Sequence, residues 1–143
     1  MEGGADSLLP KWGKIRSELE NTTGLSIIVQ PEMRDFTTWK VGGRALALVE
    51  VKDEEELDQV IFLCEKEEIR WKILGHGSNI LVKDEGFPGV VIRLKGSFCE
   101  LKREGNTVEG GGGASLSQLV SFALQEGLGG SEFLVGIPGT VGG

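Results

Sequence analysis

Three uncharged, glycine-rich stretches hold the residues of this chain best suited to grip a ligand. They are GHGSN at 75–79, GGGGAS at 110–115 and GIPGTVGG at 136–143. Each offers peptide N–H groups on glycines, which no side chain shields. Ser78, Asn79, Ser115 and Thr140 add short polar side chains that can donate to phosphate oxygens or cap a turn. Successive amides in a tight turn form a concave anion site, and a helix start adds partial positive charge. An amide bond to a charged acceptor contributes about 1.5–3 kcal/mol, while ordering a glycine costs about 0.5–1 kcal/mol relative to alanine. Such loops gain by meeting a diphosphate. Held by amides alone it needs no lysine, and these loops carry none.

The familiar phosphate signatures do not fit. A dinucleotide loop needs G-x-G-x-x-G, but Gly75-x-Gly77 runs on to Ile80 and Gly111-x-Gly113 to Leu116. No Gly-Lys followed by Ser or Thr stands at Walker A spacing. Gly136, Gly139 and Gly142 fall three apart, which matches neither pattern. A single glycine-rich turn is ordinarily only a turn, and it is the recurrence of three that points to a ligand. His76 reads as a residue its turn tolerates, with covalent attachment to a flavin as the minor alternative. Trp12 and Trp71 read as packing residues.

Composition narrows the classes further. The 143 residues suit one domain with a core, and the 23 glycines are about twice ordinary usage without a collagen-like period. No apolar run is long enough for a membrane span, and MEGGADSLLPKWGK lacks the order of a signal peptide. The net charge of −7 resides in DEEELDQVIFLCEKEE (53–68), which reads as the solvated face of a helix. With no basic patch interleaved with aromatics, nucleic acid is disfavoured. One histidine and no C-x-x-C leave no plausible metal set. Cys64, in a helical stripe, and Cys99, in a strand-like run, read as packed thiols in a reducing cytosol.

The elements that must position the loops follow from periodicity. Leu8, Trp12, Ile15 and Leu19 predict a helix from about Lys11. GLSIIVQ and FTTWKVGGRA read as extended, and LALVEV (46–51) as a strand. Asp53 with Glu56 starts a helix whose stripe is Leu57, Val60, Ile61 and Cys64, leading to a strand at 69–75. That order predicts a βαβ crossover closing on a parallel pair. ILV (80–82) and GVVIRL (89–94) read as further strands, and FCELKR with NTVEGG as a hairpin turning at EGN. Ser115 with Gln118 begins a last helix burying Leu116, Leu119, Val120, Ala123 and Leu124, which Gly127 stops.

TTWKVGGRA (37–45), ILGHGSNILV (73–82), GVVIRL, VEGGGGASLSQLV (108–120) and GLGGSEFLVGIPGTVGG (127–143), in this order, resemble the flavin-binding domain of the UDP-N-acetylenolpyruvoylglucosamine reductase family. The resemblance runs from about residue 36 to the end. It implies an α/β (α+β) fold of the vanillyl-alcohol-oxidase type, two small α/β subdomains with FAD between them. Residues 1–35 would be a helix and lead-in, and 36–143 an FAD-binding domain incomplete at its C-terminal end. By resemblance Gly75, His76, Gly77, Ser78, Asn79, Ile80 and Leu81 wrap the pyrophosphate. Gly111, Gly113 and Ala114 form a second wall. Gly136, Ile137, Pro138, Gly139, Thr140, Gly142 and Gly143 form a third. Arg44 and the Gly130-Ser131-Glu132 stretch are small departures. The resemblance further implies a cytoplasmic enzyme of cell-wall precursor synthesis in which NADPH and UDP-N-acetylenolpyruvoylglucosamine are the reactants. Its serine proton donor, arginine and glutamate match no position here, so the expectation is an amino-terminal part, inactive alone, without metal, membrane or nucleic-acid partner. A flavin oxidase acting on an alcohol or hydroxy acid, or a stand-alone nucleotide module, is the rival expectation.

Overall fold

Strand β2 (Ala45–Val51) is buried at every residue but Glu50, so it needs apolar cover on both faces. In the computed structural model, which describes residues 4–22 and 24–143, both covers are present. Ala47, Val49 and Val51 pack with Trp12, Ile15 and Leu19 of α1 (Leu9–Thr22) and with Val60, Leu63 and Cys64 of α2 (Glu54–Lys66). Ala45 and Leu48 join Met33, Leu74 and Val91 in a second, smaller core. Fully burying one such aliphatic side chain stabilises by about 1.5–3 kcal/mol. Met1, Glu2 and Gly3, part of the stretch weighed as a signal peptide, lie outside the described residues, as does Thr23.

β1 (Ser26–Val29) pairs antiparallel with β2, while β3 (Arg70–Leu74) and β4 (Phe87–Leu94) run parallel to it. The strand order is β1-β2-β4-β3. β2 and β3 flank α2 in sequence as expected, but they are not neighbours. β4 inserts between them and takes both sets of ladder hydrogen bonds. Its residues Gly89–Ile92 are all buried, as the central position requires.

α2 begins where Asp53 accepts the Glu56 amide at 2.9 Å. The reciprocal arm lands one residue early, Glu56 Oε2 accepting from the Lys52 amide at 2.7 Å. The second layer is smaller: a hairpin of β5 (Leu101–Glu104) and β6 (Thr107–Gly110), then α3 (Leu116–Gln125). Ser115 and Gln118 form a complete capping box at its start. Its end closes with the Leu128 amide on the Ala123 carbonyl at 2.8 Å and the Gly127 amide on Leu124 at 3.1 Å.

Several local expectations are corrected. α1 begins at Leu9, with Pro10 still in its first turn, where a missing N–H costs nothing. Of FTTWKVGGRA, Phe36 ends a 3₁₀ turn (Met33–Phe36), and residues 37–43 form a loop in which Thr38 bonds to Gly77 instead of to a strand. Only Arg44, bridged to Glu32, and Ala45, the start of β2, are extended as read. ILV at 80–82 pairs with no strand. Cys99 ends a 3₁₀ turn (Gly96–Cys99). Leu124 lies on the outer side of α3 and is 58% exposed. Among the described residues no helix is long and apolar enough to cross a membrane.

Candidate functional site

Parallel strands gather ligands at their C-terminal edge, where successive loops leave the sheet. Here β3 ends at Leu74 and releases GHGSN, while β4 ends beside it and delivers Arg93, Leu94 and Lys95. A cavity of about 280 Å³ opens at this edge. Gly75 and His76 line it from the first loop, Gly112 and Gly113 from the second, and Thr140, Gly142 and Gly143 from the third. Sequence-distant bends thus enclose one space.

The second and third loops are stitched together. The Val141 amide donates to the Ala114 carbonyl at 2.8 Å, and the Gly142 amide to Gly112 at 3.0 Å. The Leu116 amide, first in α3, donates to the Gly139 carbonyl at 3.1 Å. The first loop reaches the third through Ser78 Oγ, which donates to the Pro138 carbonyl at 3.4 Å. Gly77 has φ of +69°, and a side chain there would strike the Phe36 carbonyl. Only glycine lets the first loop lie on the 36–38 segment, where its carbonyl accepts from the Thr38 amide at 2.9 Å.

The three loops differ in what their amides have left to give. Among the described residues, the N–H groups of His76 through Val82 donate to no protein acceptor. Those of Gly111, Gly113 and Ala114 are spent on Glu100, Phe98 and Gly111 carbonyls at 2.8–3.0 Å. In the third loop Ile137, Val141, Gly142 and Gly143 are spent, while Gly136, Gly139 and Thr140 are not. Gly112, which lines the cavity, keeps its amide free among the described residues, so the second loop contributes shape with one donor and the first contributes a row of them.

Of the residues singled out by sequence, Gly75, His76, Gly113, Thr140, Gly142 and Gly143 line the cavity. Gly77, Ser78, Asn79 and Ile80 continue from it along the first loop, and Leu81, 73% exposed, borders a separate shallow depression with Val41. Gly111 packs against the Phe98 backbone, and Ala114 is fully buried. Gly136, Ile137 and Pro138 are exposed and outside the lining, and Gly139 sits beside Ser78.

Sequence reasoning missed the cations. Although the loops carry none, Arg93 and Lys95 line the same cavity. One carboxylate, Glu50, stands opposite both, at 3.7 Å from Arg93 Nη1 and 3.9 Å from Lys95 Nζ. Two positive groups share one negative partner, which leaves the strand ends net positive. The available signal was positional: both cations close a predicted strand on the edge where the loops depart. Cys99, half-buried, lines the cavity as well. An adjoining depression of about 390 Å³, lined by residues including Phe36, Thr38 and Lys40, shares His76 and Arg93 with the first.

A family model described as "FAD binding domain" matches residues 45–143. The chain is 37% identical over 129 residues to UDP-N-acetylenolpyruvoylglucosamine reductase of Desulforamulus reducens, covering 90% of this chain and 43% of that one. It is 46% identical over 110 residues to UDP-N-acetylenolpyruvoylglucosamine reductase 2 of Symbiobacterium thermophilum, covering 77% and 36%. The crystal structure of the Thermus caldophilus UDP-N-acetylenolpyruvylglucosamine reductase superposes with a TM-score of 0.64 at 39% identity. That match covers 83% of this chain and 40% of the other. The chain thus spans about two-fifths of the length of the curated relatives it matches.

Proposed function

From the premise that this chain belongs to the FAD-binding domain family, we propose that it is the flavin-holding part of a reductase acting on UDP-N-acetylenolpyruvoylglucosamine. In that reading residues 1–35 are the helix and lead-in and 36–143 the FAD-binding domain, with NADPH as electron source for the whole enzyme in the cytoplasm.

The observation that carries the reading is the row of unspent amides from His76 to Val82, beginning at the cavity that all three loops enclose. A diphosphate is the nucleotide group whose charge and acceptor oxygens such a row answers. Gly75–Leu81 would hold it. Gly113, Ala114 and Gly111 would form a rigid wall, and Gly136–Gly143 a third side, with Gly139 and Thr140 supplying the spare donors. When bound, FAD supplies two-electron redox chemistry that amino-acid side chains lack. The chain's own residues bind and orient it: the stitched second and third loops fix the wall, and Gly77 fixes the donor row against residues 36–38. Reducing an enol ether also takes a proton donor and a site for the sugar nucleotide. No serine here stands where the family resemblance puts that donor, so this chain by itself binds flavin without turning substrate over.

Titration of the chain with FAD, followed by quenching of flavin fluorescence, tests the reading. Saturable binding and no consumption of UDP-N-acetylenolpyruvoylglucosamine are expected. Absence of FAD binding would remove the first half, and measurable turnover the second.

A further inference from the structure

Of the six arginines, Arg34 is ion-paired with Glu32 at 3.2 Å and exposed Arg70 lies over the Phe87 ring at 5.9 Å; the other four invite comparison. Arg16, Arg44 and Arg103 each donate a hydrogen bond at 2.7 Å, to Glu20, Glu32 and the Gly105 carbonyl. Their side chains are 48%, 61% and 38% exposed. Arg93 is the most enclosed of the four at 27%, yet its guanidinium donates no hydrogen bond to protein among the described residues. What holds it is non-directional: Glu50 at 3.7 Å, beyond hydrogen-bond length, and the Phe36 ring, whose centroid lies 5.9 Å away. A half-enclosed guanidinium ordinarily spends its fork of donors on a carboxylate or phosphate. Here the fork is steered by a ring and a distant carboxylate and left with its donors in hand, at a wall shared by two adjoining cavities.

We propose that Arg93 is a binding residue for the nucleotide's diphosphate, the cationic partner that the glycine loops themselves do not provide. The inference rests on the flavin-holding reading above for the identity of the nucleotide, though not for the anion. His76, the other residue common to both cavities, begins the row of unspent amides. An oxygen reaching the start of that row from the shared wall therefore stands between backbone donors and the guanidinium. Lys95, loosely tied to the same Glu50, adds long-range attraction.

The test uses the whole chain, Arg93→Gln and Arg93→Lys, titrated with FAD, ADP and riboflavin at low and high salt, with melting temperatures taken alongside. Loss of one charge-assisted contact predicts that Arg93→Gln weakens FAD and ADP about tenfold or more, leaves riboflavin unchanged and lowers the salt dependence of ADP binding. Arg93→Lys recovers part of the affinity. A general loss of structure would weaken riboflavin equally. Equal loss for all three ligands, or unchanged FAD and ADP binding in Arg93→Gln, overturns the assignment. If the unaltered chain binds ADP through Arg93 but not FAD, the flavin reading fails and the anion site stands. If it binds neither, both fail.

Discussion

The amide of Gly142 donates to the carbonyl of Gly112 at 3.0 Å, with the two backbones so close that a Cβ on Gly142 would sit 3.1 Å from the Gly112 Cα. This contact joins the second loop to the third without any side chain. Valine at position 142 would push the two apart at a cost of about 1–3 kcal/mol, and the cavity wall would move with them. Gly142→Val is expected to lose FAD affinity more steeply than thermal stability, as paired titration and melting measurements would show. An unchanged dissociation constant would place the third loop outside the site.

Gly77 is a second position where the loop arrangement requires glycine. Its positive φ and the Phe36 carbonyl facing its Cα exclude a side chain. Gly77→Ala should destabilise by about 1–3 kcal/mol, seen as a lower urea midpoint, and should loosen FAD binding because the donor row loses its bed.

Glu50 holds two cations at once. Neutralising it with Glu50→Gln frees Arg93 and Lys95 toward the cavity, so ADP and FAD should bind up to about fivefold more tightly at low salt. The gain should fade as salt is added. Calorimetric titration across ionic strength checks this, and weaker binding in the variant would mean that Glu50 positions Arg93 more than it opposes it.

Burial pushes the Cys64 thiol up to about 12, with the neighbouring Glu65 carboxylate adding to the shift. The unfolded chain releases this proton near the ordinary thiol value, so above about pH 9 the folded state binds more protons than the unfolded one. Stability from this group is therefore complete below that pH and declines as pH rises toward 12, by up to ~1.4 kcal/mol per unit. Denaturation curves at mildly and strongly alkaline pH should show the slope, and Cys64→Ala should flatten it. In the folded protein Cys64 should resist alkylation.

What the sequence made legible were features written within a dozen residues of one another. The Asp53 and Ser115 starts, the Cys64 stripe and the Gly127 stop all rest on local spacing, and the structure places them as read. Strand order was not local. β2 and β4 are similar apolar runs, and nothing in either says that β4 slips between β2 and β3. ILV at 80–82 has the composition of a strand but no partner, since its segment is committed to the loop beside Gly77. Arg93 escaped notice for a related reason: its surroundings, Phe36 and Glu50, come from distant parts of the chain. The glycine loops stand out in sequence, whereas the cations that share their cavity are brought there only by the fold.

The two helix caps offer a way to separate stability from binding. Asp53 and Ser115 each accept the amide three residues on, at 2.9 and 3.1 Å, so alanine at either should cost about 1 kcal/mol. Their surroundings differ. Asp53 starts a helix whose neighbours are α1 and the sheet, while Ser115 sits opposite Thr140 in a two-residue bridge, and the next amide, Leu116, holds the Gly139 carbonyl. Loosening the Ser115 cap therefore frees the third loop, and loosening the Asp53 cap does not. Asp53→Ala and Ser115→Ala should shift the urea midpoint alike, yet only Ser115→Ala should weaken FAD. Equal affinity losses in the two variants would mean that binding follows overall stability, and the stitched loops would then have no role of their own in holding the nucleotide.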